Sequence, residues 1–130
     1  MKTLIVEDDF TARLLLQKLL SRYGECHLAV NGKEGVEAFR MACNGGPGYD
    51  LVCMDIQLPE VNGREAVKQI RALERARGVL STSGVKIIMT TALDDIKDVC
   101  RAFEELCDAY LVKPVDVAQL LSHLKAFGLV

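Results

Sequence analysis

Residues 3–23 read TLIVEDDFTARLLLQKLLSRY. The apolar run Thr3–Val6 stops on three consecutive acids, Glu7, Asp8 and Asp9. It then passes into Phe10–Tyr23, where Leu14, Leu15, Leu19 and Leu20 recur near i, i+4 spacing. A short continuous apolar run reads as a strand covered on both faces, and the stretch after it as an amphipathic helix. The same strand–helix unit recurs along the chain. Cys26–Val30 leads to Lys33–Ala42, Leu51–Met54 to Gly63–Ala76, Val85–Thr90 to Asp94–Leu106, and Ala109–Val112 to Val117–Phe127, with Asp116 as N-cap of the last helix. Five such units in sequence predict an α/β fold: a parallel sheet with right-handed crossovers and helices on both faces.

Composition narrows the function classes. The chain has 130 residues, 50% apolar and 26% charged, with a net charge of -2. That is a single globular domain, here read as residues 1–130 with no output domain. No block of Lys and Arg stands out, so direct nucleic-acid binding is not expected. No run reaches the roughly 18–20 apolar residues of a membrane span, and the first strand begins too early for a signal peptide. The five cysteines lack a C-x-x-C spacing, and His27 and His123 stand far apart. The thiols are therefore read as reduced, small core residues of a cytoplasmic protein rather than zinc ligands or disulfides.

In an open parallel sheet, ligands bind beyond the carboxyl ends of the strands. There the sequence puts Glu7, Asp8 and Asp9 after the first strand and Asp55 after the third. Thr90, Thr91 and Ala92 follow the fourth, and Lys113 and Pro114 the fifth. Singly, each residue has an ordinary explanation: Asp8 or Asp9 as a helix cap, Asp55 as a turn residue, Lys113 as a surface charge. Together they are hard to explain that way. Two carboxylates about 4 Å apart repel by roughly 4 kcal/mol at an effective dielectric near 20. One ammonium cannot neutralise Asp8, Asp9 and Asp55, and an all-oxygen pocket suits a hard cation, Mg²⁺ above others.

The sequence lacks both G-x-G-x-x-G after the first strand and G-x-x-x-x-G-K-[ST], which argues against dinucleotide binding and P-loop chemistry. It also offers no Ser/His pair at the strand ends. A carboxylate beside a metal and a lysine points instead to phosphoryl transfer, with Asp55 as the oxygen nucleophile.

With these motifs in hand, the chain resembles a response-regulator receiver domain of two-component signalling. The resemblance rests on VEDD after the first strand, MDIQLPEVNG after the third, TTA after the fourth and YLVKP at the fifth. It implies a flavodoxin-like (βα)5 fold with strand order 2-1-3-4-5. It implies Asp55 as phosphoacceptor and Asp8 and Asp9 as the acidic pair, Asp9 being the direct Mg²⁺ ligand. Gln57 would lend its backbone carbonyl to the metal. Thr91 would be the hydroxyl that turns toward the phosphoryl group beside the small Ala92. Lys113 would be the conserved-type cation, ahead of a cis Lys113–Pro114 bond, and Tyr110 the aromatic switch. Glu7 is left as a solvent-facing acid.

The resemblance further implies a histidine kinase or histidine phosphotransfer protein as donor, and a downstream protein target that the sequence does not name. Leu58 replaces a commoner Met, and Leu106 and Cys107 replace a usual Gly-Ala. Leu93, two residues after Thr91, is apolar and predicts slow self-hydrolysis. Two rival readings are a receiver fold that binds partners without phosphate and a Mg²⁺-dependent phosphatase with an aspartyl nucleophile. The second would need an acid where Gln57 stands. The reading is a signalling module and not an enzyme.

Overall fold

The computed structural model describes residues 1–79, 83–92 and 106–130. Leu93, Cys100, all but the last residue of the expected helix Asp94–Leu106, and positions 80–82 of the expected Arg77–Gly84 loop lie outside the described residues. The elements are β1 (Thr3–Val6), α1 (Phe10–Leu20), β2 (Cys26–Ala29), α2 (Gly32–Gly45), β3 (Leu51–Asp55), α3 (Gly63–Ala76), β4 (Lys86–Thr91), β5 (Ala109–Val112) and α4 (Val117–Ala126). The strands are all parallel, in the order β2-β1-β3-β4-β5. The fold is the flavodoxin-like arrangement that the resemblance implies.

The unbroken apolar strands follow from this two-sided cover. Along β1, Leu4 and Val6 join Val52, Met54, Ile87 and Met89 against Phe39 of α2 and Ala66, Val67 and Ile70 of α3. Ile5 points the other way. It packs with Cys53, Ile88 and Leu111 against Leu16 and Leu20 of α1 and Leu120 and Leu124 of α4. Each fully buried aliphatic side chain is worth about 1.5–3 kcal/mol, so both layers are needed to hold the sheet.

Several boundaries differ from the sequence reading. The first helix ends at Leu20 and tightens into a 3₁₀ turn over Ser21–Tyr23. β2 stops at Ala29, because Val30 gives its N–H to the Glu34 carboxylate (3.1 Å) while Asn31 accepts from the Glu34 N–H (2.8 Å). This reciprocal capping starts α2 at Gly32. β3 extends through Asp55 and β4 through Thr91, which carries both residues to the sheet edge.

The opposite end of the sheet holds a buried ionic cluster. Arg71 of α3, 2% exposed, donates to the Glu74 carboxylate (2.6 Å), the Asp108 carboxylate (3.0 Å) and the carbonyls of Val85 and Leu106 (both 2.9 Å). Glu74 in turn accepts from the Val85 N–H, and Asp108 from the Ile87 N–H. The guanidinium thus ties α3 to the starts of β4 and β5.

Candidate functional site

The carboxyl ends of β1, β3, β4 and β5 converge on one edge, and sheet register decides which side chains meet there. β1 and β3 pair Ile5 with Cys53 and Val6 with Met54. One step further sets Glu7 beside Asp55. Both continue the face of Ile5 and Cys53, so both carboxylates are directed to the same side of the sheet edge. Glu7 is 1% exposed and Asp55 4%. The expectation that Glu7 faces solvent is therefore overturned. Its N–H still pairs with the Ala29 carbonyl (3.0 Å), which prolongs the strand geometry by one residue and turns the side chain inward.

Lys113 answers both acids. Its Nζ lies 2.5 Å from Glu7 Oε1 and 3.1 Å from Asp55 Oδ2. The first contact is the shorter of the two and sets the ammonium against the buried Glu7 carboxylate. Asp55 Oδ1 accepts from the Gln57 N–H (3.1 Å), and Glu7 Oε2 from the Asp9 N–H (3.2 Å). Burial, and then the neighbouring Asp55 carboxyl, push the Glu7 carboxyl above its usual range against the pull of Lys113. For Lys113, burial works against the charge, but the Glu7 and Asp55 carboxylates outweigh it and hold the ammonium above its usual range.

Among the described residues, one group of acids is close enough to share a metal ion: Glu7, Asp8 and Asp55, with carboxylate oxygens within 4.8 Å of one another. The donors are all oxygen and outnumber the cation beside them, which suits a hard divalent ion such as Mg²⁺.

Asp9 is not in that group. It is the N-cap of α1, in extended backbone, and its Oδ2 accepts from the Ala12 N–H at 2.8 Å. Assigning Asp9 as the direct ligand thus shifts the acidic pair by one residue; the geometry brings Glu7 and Asp8 to Asp55 instead. Arg13 secures the turn by donating to the carbonyls of Glu7 (2.9 Å) and Asp8 (3.4 Å). The strand period would have revealed Glu7, since Ile5 and Glu7 must share a face.

The remaining expected residues surround the cluster. Gln57 is exposed in the turn after β3, where its carbonyl belongs to the loop that begins at Ile56. Thr91 is buried and its hydroxyl donates to the Ala92 carbonyl (3.3 Å) rather than to Asp55. Thr91 pairs with Val112, and the Lys113 N–H then donates to the Thr91 carbonyl (2.8 Å), so the hydroxyl and the ammonium sit on adjoining strand ends. Tyr110 is 46% exposed. The Lys113–Pro114 bond is cis, as the resemblance implies. No helix among the described residues is long and apolar enough to cross a membrane.

Known proteins resemble this chain over most of its length. A family profile described as response regulator receiver domain matches residues 3–125. The transcriptional regulatory protein CusR of Escherichia coli K12 is 36% identical over 126 residues, which is 96% of this chain and 50% of CusR. The chain thus spans about half the length of that relative. Two-component response regulator 24 of Arabidopsis thaliana is 32% identical, covering 93% of this chain and 79% of its own. Among solved structures, a chain in the co-crystal of the Saccharomyces cerevisiae histidine phosphotransfer protein Ypd1 with the receiver domain of Ssk1 superposes with a TM-score of 0.82. It is 33% identical and covers 98% of this chain and 88% of that one.

Proposed function

The chain belongs to the response regulator receiver family, and from that premise we propose that it is a phosphoacceptor whose Asp55 takes a phosphoryl group from a phosphohistidine donor. The observation that carries this reading is the Asp55 carboxylate held between the Lys113 ammonium and the Gln57 N–H, inside a cluster with Glu7 and Asp8.

Asp8, Asp55 and the Gln57 carbonyl would hold Mg²⁺, with Glu7 beside them. When bound, the ion offsets negative charge on the phosphoryl oxygens. An Asp55 carboxylate oxygen forms the new bond to phosphorus as the bond from phosphorus to the donor imidazole nitrogen breaks, and the electron pair stays on that nitrogen. Lys113 orients the acceptor and neutralises the product. The aspartyl phosphate brings about -1.5 to -2 charges. Thr91 turns its hydroxyl from the Ala92 carbonyl toward them, and the space it leaves admits Tyr110. The face built on β5 and α4 then changes, an electrostatic event read out as packing.

The donor is a histidine kinase or a histidine phosphotransfer protein, the class co-crystallised with the Ssk1 receiver. Both would meet this chain in the cytoplasm. The domain catalyses only its own phosphorylation and hydrolysis and is a switch rather than an enzyme.

The test is intact-mass spectrometry after incubation with acetyl phosphate. Wild type gains one phosphoryl mass with Mg²⁺ and none with a chelator; Asp55→Asn gains none in either case. An unmodified wild type, under conditions that label another receiver, would overturn the reading.

A further inference from the structure

The loop from Ile56 to Asn62 carries Gln57 and is closed at its base, where the Gly63 N–H donates to the Ile56 carbonyl (2.9 Å). Its far side leans on a different element. A β-carbon built on Gly32, the first residue of α2, would stand 1.8 Å from the Val61 carbonyl oxygen and 3.1 Å from the Val61 β-carbon. Comfortable contact between heavy atoms needs about 3.5 Å, so any side chain there would drive the two backbones apart by on the order of 1.5 Å. The obstacle is backbone, which cannot swing aside as a flexible side chain would. The reciprocal caps of Asn31 and Glu34 fix the height of this first turn.

We propose that Gly32 is a positioning residue for the cation site: its bare α-carbon lets α2 close on Val61 and so sets the loop that presents the Gln57 carbonyl. The inference rests on reading Asp8, Asp55 and Gln57 as ligands. Mg²⁺ demands near-ideal octahedral geometry at about 2.0–2.1 Å, so a carbonyl moved by a fraction of an ångström is a poor ligand. A residue on another helix, with no atom at the metal, thereby contributes to its affinity.

Gly35 supplies the control. It lies on the same helix, and the nearest atoms a β-carbon there would meet all belong to the Val6 side chain, the first at 2.8 Å. Gly35→Ala therefore strains the core first at Val6. Gly32→Ala adds a better helix former at a position whose φ already suits it, so its effect is confined to the contact.

The experiment is a Mg²⁺ titration of the ¹⁵N-labelled, unphosphorylated chain, followed through the amide resonances of Asp8 and Gln57, with urea midpoints measured alongside. Gly32→Ala is expected to weaken Mg²⁺ binding about tenfold, the range seen when supports of metal ligands are lost. Gly35→Ala is expected to lower the urea midpoint and leave Mg²⁺ affinity at the wild-type value. Should Gly32→Ala fail to fold, Asn31→Ala decides, since loss of this cap loosens the same turn: weaker Mg²⁺ binding supports the inference and wild-type binding overturns it. Wild-type affinity in a folded Gly32→Ala also overturns it and leaves the site reading intact. A wild type that binds no Mg²⁺ removes both.

Discussion

Glu7 Oε1 lies 2.5 Å from the Nζ of Lys113, one strand position beyond the last β1 pair and level with Asp55. This contact identifies the member of the three-acid run that belongs to the buried site. Glu7 continues the strand, Asp8 reaches the shared cluster, and Asp9 starts the helix. The three acids divide three tasks.

That division predicts opposite outcomes at adjacent positions. Asp9→Ala removes the α1 cap and should cost about 1 kcal/mol of stability, while Mg²⁺-dependent labelling by acetyl phosphate persists. Asp8→Asn should leave stability nearly unchanged and remove most of the labelling. Chemical denaturation and mass spectrometry on the two variants read the two effects separately. Labelling lost with Asp9→Ala and kept with Asp8→Asn would reverse the assignment.

The Arg71 cluster predicts a stability effect far from the chemistry. Arg71→Met leaves the buried Glu74 carboxylate without its cation and takes one partner from the more exposed Asp108, which keeps Lys86 nearby. Breaking a buried pair from one side costs about 3–5 kcal/mol. The urea midpoint should fall accordingly, and a second variant that also carries Glu74→Leu should recover part of the loss. A midpoint equal to wild type for Arg71→Met would show that the cluster adds nothing.

Glu60, in the loop after β3, has a φ of 65° in the left-handed region. A non-glycine residue pays roughly 1–2 kcal/mol there, part of which glycine returns as extra freedom in the unfolded chain. Glu60→Gly should therefore raise stability by about 0.5–1 kcal/mol. Differential scanning calorimetry should register a higher Tm, and a lower one would contradict the strain argument.

Cys53 gives a pH dependence. Burial, with a smaller contribution from Cys26, pushes its thiol up to about 12 from an ordinary 9.0. Above pH 9 the unfolded thiol ionises while the folded one keeps its proton. The unfolded state then holds fewer protons, so this group's contribution to stability falls as pH climbs from 9.0 toward 12. Cys53→Ala should remove that part of the slope. In the folded wild type at pH 8, iodoacetamide should leave Cys53 unmodified, and peptide mapping that finds it alkylated as fast as in urea would refute its burial.

Much of the fold can be read from the chain because a two-sided sheet needs unbroken apolar strands such as Leu51–Met54, and the helices between them carry a clear apolar stripe. Asp55, Thr91 and Lys113 are legible for a related reason: each directly ends or follows a strand. The acidic pair is harder. Three adjacent acids look alike in sequence; the strand period puts Glu7 on the face of Ile5, and the pairing of Val6 with Met54 then sets it next to Asp55. The cap at Asp9 depends on where α1 begins. The Gly32–Val61 contact has no local signal, since it joins the start of α2 to a loop almost thirty residues further on, and their approach depends on the whole sheet.

The most direct measurement traps the acyl phosphate. Wild type incubated with acetyl phosphate and Mg²⁺ is reduced with borohydride, which converts an aspartyl phosphate to homoserine, and the peptides are sequenced by tandem mass spectrometry. The account predicts homoserine at position 55, absent when Mg²⁺ is chelated and strongly reduced in Asp8→Asn. Homoserine at position 8 or 9, or none anywhere in a chain that has gained phosphoryl mass, would contradict it.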